Sequence, residues 1–400
     1  MKCSSKLEAV HSDIRGPLYV KATEMEKQGI KVLKINSGNP AIFGHTAPDC
    51  IKQALIEGAD RAVAYCDFRG MPAARASICE YHKGRGIQDI CDDDIYIGNG
   101  VSELVNISLS VLLNEGDEIL VPTPCYSLWS NCALLVGGVP VYYMCDENAG
   151  WFPDINDIRK KITSRTKAIV LINPNNPTGA LYSKDLLEQI AALAREHDLM
   201  IFSDEIYDRL LFDGAVHTPM AAVAPDLFVV TMNGLSKSHN ICGYRLGWML
   251  LSGPHDKSDE FRSGVHKLMS MRLCAGALPQ LVVPAALASQ DTTVRMVSPG
   301  GRLYERRKAT IDAINQCDAL TTINNSGALY MFPKINPRYK IKDDREFARE
   351  LLVRKHILLV PGSGFNYPTP DHFRIVMLPS PEELSGAIRS IGEVLEEVFR

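Results

Sequence analysis

Between about residue 90 and residue 250, short apolar runs alternate with longer stretches of helical periodicity. The runs are "DIYIG" (94–98), "EILVP" (118–122), "AIVLIN" (168–173), "LMIFSD" (199–204), "FVVTM" (228–232) and "WMLL" (248–251). Strands that are apolar without interruption are those buried on both faces, as in a mostly parallel sheet covered by helices. One intervening segment, "SKDLLEQIAALAREH", places Leu186, Leu187, Ile190, Leu193 and Ala194 on one helical face. The pattern predicts an α/β architecture.

The texture changes at "SPGGRLYERRKA" (298–309), where a Pro-Gly-Gly turn leads into a charged helix. A smaller unit follows, with strand-like "ALYMFPKI" (328–335), "ILLVPG" (357–362) and "FRIVML" (373–378), and an amphipathic helix near 381–399. The first 40 residues read as a helix plus "VLKINSGNP", too little to fold alone. Their natural host is the C-terminal unit. The expected division is a large domain at 41–300 and a small domain formed by 1–40 and 301–400, as befits a chain too long for one core.

Composition narrows the function. A hydrophobic content of 46% with 22% charged residues is that of an ordinary globular protein. A net charge of −4 offers no electrostatic case for nucleic acid or an anionic membrane. The eleven cysteines form no C-x-x-C pair, which fits reduced thiols and a cytoplasmic protein better than a disulfide framework. The first 30 residues carry no apolar signal core, and no run approaches the ~18 apolar residues a membrane span needs.

In open α/β sheets ligands gather beyond the carboxyl ends of the strands. After "DIYI", Gly98-Asn99-Gly100-Val101-Ser102 opens a helical run. It reads either as a tight βα turn or as a phosphate cradle at a helix N-terminus. After "LMIFS" come Asp204, Glu205 and Tyr207. A carboxylate closing a buried strand caps a helix, binds a metal or faces a cationic ring. No His or Cys at ligand spacing lies beside it, which argues against a metal. After "AIVLI" comes "NPNNPTG" (173–179), a stiff turn whose Asn173, Asn175 and Asn176 can present amides. After "FVVTMNGLS" comes Lys237, a solvated loop lysine or a Schiff-base amine with Arg245 as its neighbouring cation. Together an anion cradle, a buried carboxylate, a fixed amide and an amine match pyridoxal phosphate, which carries a phosphate, a ring nitrogen, a phenolate oxygen and an aldehyde.

The chain also resembles the class I aminotransferases of fold type I over essentially its whole length. The resemblance is closest to bacterial glutamate–pyruvate (alanine) aminotransferases. It is carried by "INSGNPAIFG", "YCDFRG", "IYIGNGVSELV", "INPNNPTGA", "SDEIYD", "NGLSKS…GYRLGW", "GALYMFPKI" and "HFRIVMLP". It implies a seven-stranded, mostly parallel sheet in the large domain. It also implies a pyridoxal 5′-phosphate cofactor and ping-pong transamination of L-alanine and 2-oxoglutarate to pyruvate and L-glutamate. On this resemblance Lys237 forms the internal aldimine and shuttles the proton. Asp204 keeps the pyridine nitrogen protonated. Tyr207 and Asn176 bond the cofactor O3′, and Asn176 also meets substrate. Gly100, Val101, Ser102, Ser236 and Arg245 bind the phosphate, and Tyr126 stacks on the ring. Tyr65 reaches the neighbouring subunit's phosphate in a homodimer. Arg374 grips the substrate α-carboxylate, and Gly38 leaves room for it.

Some positions depart from the pattern of close relatives. "SDIRGP" has Ser12, preceded by His11, where an aromatic is common. His239 and Asn240 follow the lysine, and Cys125 precedes Tyr126. These bear on side-chain preference, leaving transamination of aromatic amino acids, valine or aspartate as alternatives. A carbon–sulfur β-lyase shares the same residue set and differs in releasing pyruvate without an oxo-acid acceptor. A non-catalytic regulator on this fold carries an added DNA-binding domain, for which this chain has neither room nor a basic patch.

Overall fold

The computed structural model describes residues 1–289 and 291–400. In chain order the large sheet is built from β2 (Ile95–Gly98), β3 (Glu118–Thr123), β4 (Val139–Asp146), β5 (Phe152–Pro153), β6 (Thr166–Ile172), β7 (Met200–Asp204), β8 (Val229–Gly234) and β9 (Gly247–Ser252). The one earlier strand, β1 (Leu33–Lys34), lies outside it. The spatial order is β2-β9-β8-β7-β6-β3-β4-β5. The run β8-β7-β6-β3-β4 is parallel throughout. β9 is antiparallel to both its neighbours, and two-residue β5 adds an antiparallel edge to the seven strands that the resemblance implies.

The uninterrupted apolar runs have the expected physical cause. Along β3, Leu120 joins the core on one face while Ile119 and Val121 join the core on the other. Along β6, Ile169 and Leu171 alternate in the same way with Val170 and Ile172. Helices close both faces. The helix Lys184–Glu196 buries Leu186, Leu187, Ile190, Leu193 and Ala194, and the Ser183 hydroxyl caps it by accepting from the Leu186 N–H at 3.3 Å. The apolar runs do not include β4, because it is a half-exposed strand near the edge. Val139 is exposed, Tyr143 and Cys145 are buried, and Pro140 interrupts the pattern.

The remaining strands are β10 (Leu320–Thr321), β11 (Tyr330–Met331), β12 (Lys334–Ile335), β13 (Ile357–Leu358), β14 (Val360–Pro361) and β15 (Phe373–Val376). β15 sits between β11 and β14 in an antiparallel sheet, and β10 pairs with β12. The N-terminal strand β1 pairs in parallel with β13, and Ile35 enters the same core as Met331, Phe347, Phe373, Ile375 and Ile391. The helix Pro381–Val398 covers this core and opens on a capping box between Ser380 and Glu383. Among the described residues no helix is long and apolar enough to cross a membrane.

Two consequences position the site. The carboxyl ends of β2, β3, β6, β7 and β8 share one edge of the large sheet. The segment that follows β1, with Tyr330 of β11 and Arg374 of β15, faces that edge from the other side of a cleft.

Ile35 is fully buried in the core built mostly by residues beyond 310. Ile35→Ala is expected to destabilise the protein by about 2–5 kcal/mol, measured by chemical denaturation. A change within error would mean that the N-terminal segment is not part of that core.

Candidate functional site

A cleft of about 1110 Å³ lies where these segments meet. Gly38, Val101, Ser102, Tyr126, Asn176, Asp204, Tyr207, Ser236, Lys237, Arg245 and Arg374 all line it. Gly100 lies just behind, packed on Arg245. Tyr65 is also absent from the lining, with 82% of its surface exposed.

The helix Val101–Leu112 points its N-terminus into the cleft, and Gly100 before it has φ +86°. A Cβ at Gly100 would run into the Arg245 guanidinium, and one at Gly247 would lie 2.6 Å from the Val101 nitrogen. The close approach of the two loops therefore needs glycine twice. Arg245, itself left-handed at φ 53°, donates from Nη1 to the Cys242 carbonyl at 3.0 Å and from Nη2 to that of Asn99 at 3.4 Å. Free N–H groups, a helix dipole and a guanidinium converge on one spot, the makings of an anion site.

Asp204 closes β7. Its Oδ1 accepts from the Ile206 N–H at 3.3 Å, so it does cap the following turn, and its Oδ2 accepts from the Trp129 indole at 3.4 Å. Both donors are neutral. Burial pushes its carboxyl up to about 6, against the pull of these two hydrogen bonds. Such a carboxylate is an unmet demand for a cation.

Of the three amides in "NPNNPTG", two hold the loop together. Asn173 Oδ1 accepts from the Tyr182 N–H at 2.9 Å, and Asn175 Oδ1 accepts from the Thr178 hydroxyl at 3.0 Å. Asn176 alone of the three lines the cleft, and its Oδ1 accepts from Arg374 Nη1 at 2.9 Å. Arg374 is 1% exposed; its Nη2 donates to the Asn36 carbonyl, and its buried Nε has no partner among the described residues. The guanidinium is flanked by the rings of Tyr330 and Phe365, at 4.5 and 4.7 Å from their centroids. Lys237 Nζ donates to the Gly38 carbonyl at 2.8 Å, and a Cβ on Gly38 would approach the Tyr330 hydroxyl to 2.6 Å.

Tyr330 is a contributor that the sequence alone does not single out. Its hydroxyl lies 2.9 Å from that of Tyr207, and its ring supports Arg374. Burial and then Tyr330 raise the Tyr207 phenol well above its ordinary range. In the sequence Tyr330 is one aromatic in a strand-like run, indistinguishable from core. Trp129 and Asn36 are equally silent, since their contacts span 75 and 338 residues. At the mouth, Ser12, Ile14 and Arg15 of the N-terminal arm join Lys52 and Asn240. The arm is fastened on both sides. Asn36 Nδ2 donates to the Ile14 carbonyl at 2.8 Å, and Asn131 Nδ2 to the His11 carbonyl at 2.6 Å.

The departures from the family pattern separate here. Ser12 and Asn240 line the cleft. His239 is fully buried behind it, bonded to the Ser238 hydroxyl at 2.9 Å and the Ala286 carbonyl at 3.0 Å. Cys125 is also fully buried, its N–H held by the Phe365 carbonyl. Neither is among the lining residues, so neither side chain is placed to select a substrate.

Chemically, the cleft suits a molecule with an anion at the helix N-terminus, a cation at Asp204, a carbonyl within reach of Lys237 and a carboxylate near Arg374. Known proteins place that chemistry in a family. The family described as "Aminotransferase class I and II" matches residues 30–391. The chain is 48% identical over 395 residues to the glutamate-pyruvate aminotransferase AlaA of Haemophilus influenzae, covering 98% of each. It is 44% identical to an alanine aminotransferase of Mycobacterium tuberculosis, covering 98% of this chain and 92% of that protein. The crystal structure of an aminotransferase from Escherichia coli superimposes with a TM-score of 0.98 at 47% identity, covering 100% and 99% of the two chains. With such similarity along its whole length and this cleft at its strand ends, the chain belongs to the class I and II aminotransferases.

Proposed function

We propose that this enzyme uses pyridoxal 5′-phosphate to move the amino group of L-alanine to 2-oxoglutarate, giving pyruvate and L-glutamate in two half-reactions at one site. The observation that carries the reading is Asp204: a buried carboxylate with only neutral donors, in the same cleft as the Lys237 amine. When bound, the cofactor supplies a protonated pyridine ring that takes up the electrons released at the substrate Cα.

The chain's own residues do the rest. Lys237 would hold the cofactor at its aldehyde end, and its amine would carry the substrate's Cα proton. Asp204 pairs with the pyridinium. Tyr207 and Asn176 hydrogen-bond the phenolic oxygen. The N–H groups after Gly100, at Val101 and Ser102, bind the phosphate with Ser236 and Arg245. Tyr126 stacks on the ring. Arg374, backed by Tyr330 and Phe365, holds the α-carboxylate of amino acid and oxo acid alike, with Gly38 and Asn176 beside it. The small domain, residues 1–40 and 301–400, closes on 41–300 and excludes water.

A homodimer working in the cytoplasm completes this reading, with Tyr65 finishing the partner's phosphate site. Tyr65 is exposed, as are the apolar side chains of Ile56, Val63, Met271, Leu273 and Leu278. The elements around them pack together, the helix Ala277–Gln280 against Asp49–Gly58 and Ala59–Ala62. A surface of this kind belongs in an interface.

The first test is the visible spectrum of the purified enzyme. Adding L-alanine alone should bleach the cofactor band, and 2-oxoglutarate should restore it. Lys237→Ala should remain folded and lose turnover by several orders of magnitude. A band that ignores L-alanine would remove the substrate assignment. Pyruvate released without an acceptor would make the enzyme a lyase.

A second test uses Asp204 without its cation. Raising the carboxyl from its ordinary 3.8 to about 6 costs the folded, ionised, cofactor-free protein about 3 kcal/mol. The cost is absent below about pH 4, grows between pH 4 and 6, and is full above pH 6. Cofactor-free Asp204→Asn should therefore be about 2–3 kcal/mol more stable than cofactor-free wild type at pH 8, and equal to it near pH 4. Thermal melts across this range measure it. With cofactor present the order at pH 8 should reverse.

A further inference from the structure

Behind the cleft, beneath the ends of β7 and β8, lies a second buried carboxylate that the proposed chemistry does not use. Asp208 is 2% exposed. Its Oδ2 accepts from Asn233 Nδ2 at 2.9 Å and from the Tyr81 hydroxyl, and Arg85 Nε lies 3.7 Å away. The Arg85 guanidinium also meets His217 Nδ1 at 2.8 Å and, with Arg209, stacks on the Tyr81 ring. Burial pushes the Asp208 carboxyl up, but the charge of Arg85, the Tyr81 hydroxyl and Arg209 outweigh it and hold the group ionised.

A buried ion pair is a poor means of stabilising a fold, because desolvation consumes most of its attraction. This one is arranged to orient something. An ionised carboxylate only accepts hydrogen bonds, so the Asn233 amide must turn its Nδ2 toward Asp208. That leaves Asn233 Oδ1 to accept from the Gly234 N–H at 2.7 Å. Gly234 is where β8 leaves the sheet, and its other side is blocked, since a Cβ there would lie 2.8 Å from the Leu246 carbonyl. Lys237 follows three residues on. Asp208 itself stands on the segment that carries Asp204 and Tyr207. One carboxylate thus joins the loop of the amine to the loop of the acid.

We infer that Asp208 is a positioning residue, which through Asn233 fixes the turn that aims Lys237 relative to Asp204 and Tyr207. The inference rests on the cofactor reading above.

The test compares two variants of the cofactor-loaded enzyme. Asn233→Ala cuts the link to the lysine loop and leaves the Arg85–Asp208 pair intact. Tyr81→Phe also removes one hydrogen bond from Asp208 but leaves the lysine loop alone. The readouts are the pH titration midpoint of the visible band, the melting temperature, and kcat and KM for L-alanine. Asn233→Ala should move the midpoint by about half a pH unit or more. It should also lower kcat about 10- to 100-fold, because a misaimed amine slows proton transfer, while KM stays within about threefold. Tyr81→Phe should lower the melting temperature and leave the midpoint where it was. If Asn233→Ala does not fold, Asn233→Ser is read by the same criteria. A wild-type midpoint and kcat in the Asn233 variant would overturn the inference, as would equal midpoint shifts in both variants. A wild-type enzyme whose visible band is absent or indifferent to L-alanine would instead overturn the parent reading.

Discussion

The desolvation of Asp204 is the constraint around which the site is organised. A carboxylate at the end of a strand buried on both faces is largely cut off from water, and the two groups that bond it are neutral. A cation placed against such a charge would be bound strongly and kept protonated. The turn at Gly100–Ser102 and the amine of Lys237 follow β2 and β8 at the same edge of the sheet and open on the same cleft, so a single ligand can meet all three.

A second constraint comes from where the two layers meet. Arg374 stands on β15, yet its guanidinium is spent on Asn176 after β6 and on the Asn36 carbonyl after β1. Lys237 reaches across to the Gly38 carbonyl in the same way. The cleft is thus closed by polar contacts between segments that belong to different cores. Contacts of this kind exchange readily for contacts with a ligand, unlike the interlocked apolar side chains on either side. The unpartnered Nε of Arg374 marks where a carboxylate would complete the arginine's hydrogen bonding.

Behind the cleft the chain carries a dense buried polar layer. Glu205 is pushed up to about 8 by burial and then by the charge of Asp208, so it is a neutral acid at pH 7, donating or accepting as its neighbours require. His82 and His217 are pushed down to about 3 and 4, chiefly by burial, and stay neutral. The Trp248 indole donates to His82 Nε2 at 2.9 Å, which tells which ring nitrogen is free of a proton. Within this layer the charge is concentrated on Asp208 and the arginines beside it, which is why the orienting role falls to that carboxylate.

By itself the sequence determined six strands of the large sheet, because burial on both faces leaves unbroken apolar runs of strand length between turn residues. It determined the helix Lys184–Glu196 by its 3.6-residue stripe, and it put Lys237, Asp204, Asn176 and Gly100 at strand ends, where an open sheet binds ligands. It was silent about β4, whose half-exposed edge gives no clean period, and about Tyr330, Trp129 and Asn36, which look like any core or turn residue. It could not distinguish Asn176 from Asn173 and Asn175, or foresee that His239 and Cys125 turn inward while Ser12 and Asn240 line the cleft. Those matters were decided by contacts between residues up to hundreds of positions apart and by the direction each side chain takes. Local periodicity records which face of an element is buried, but not which partner it meets there.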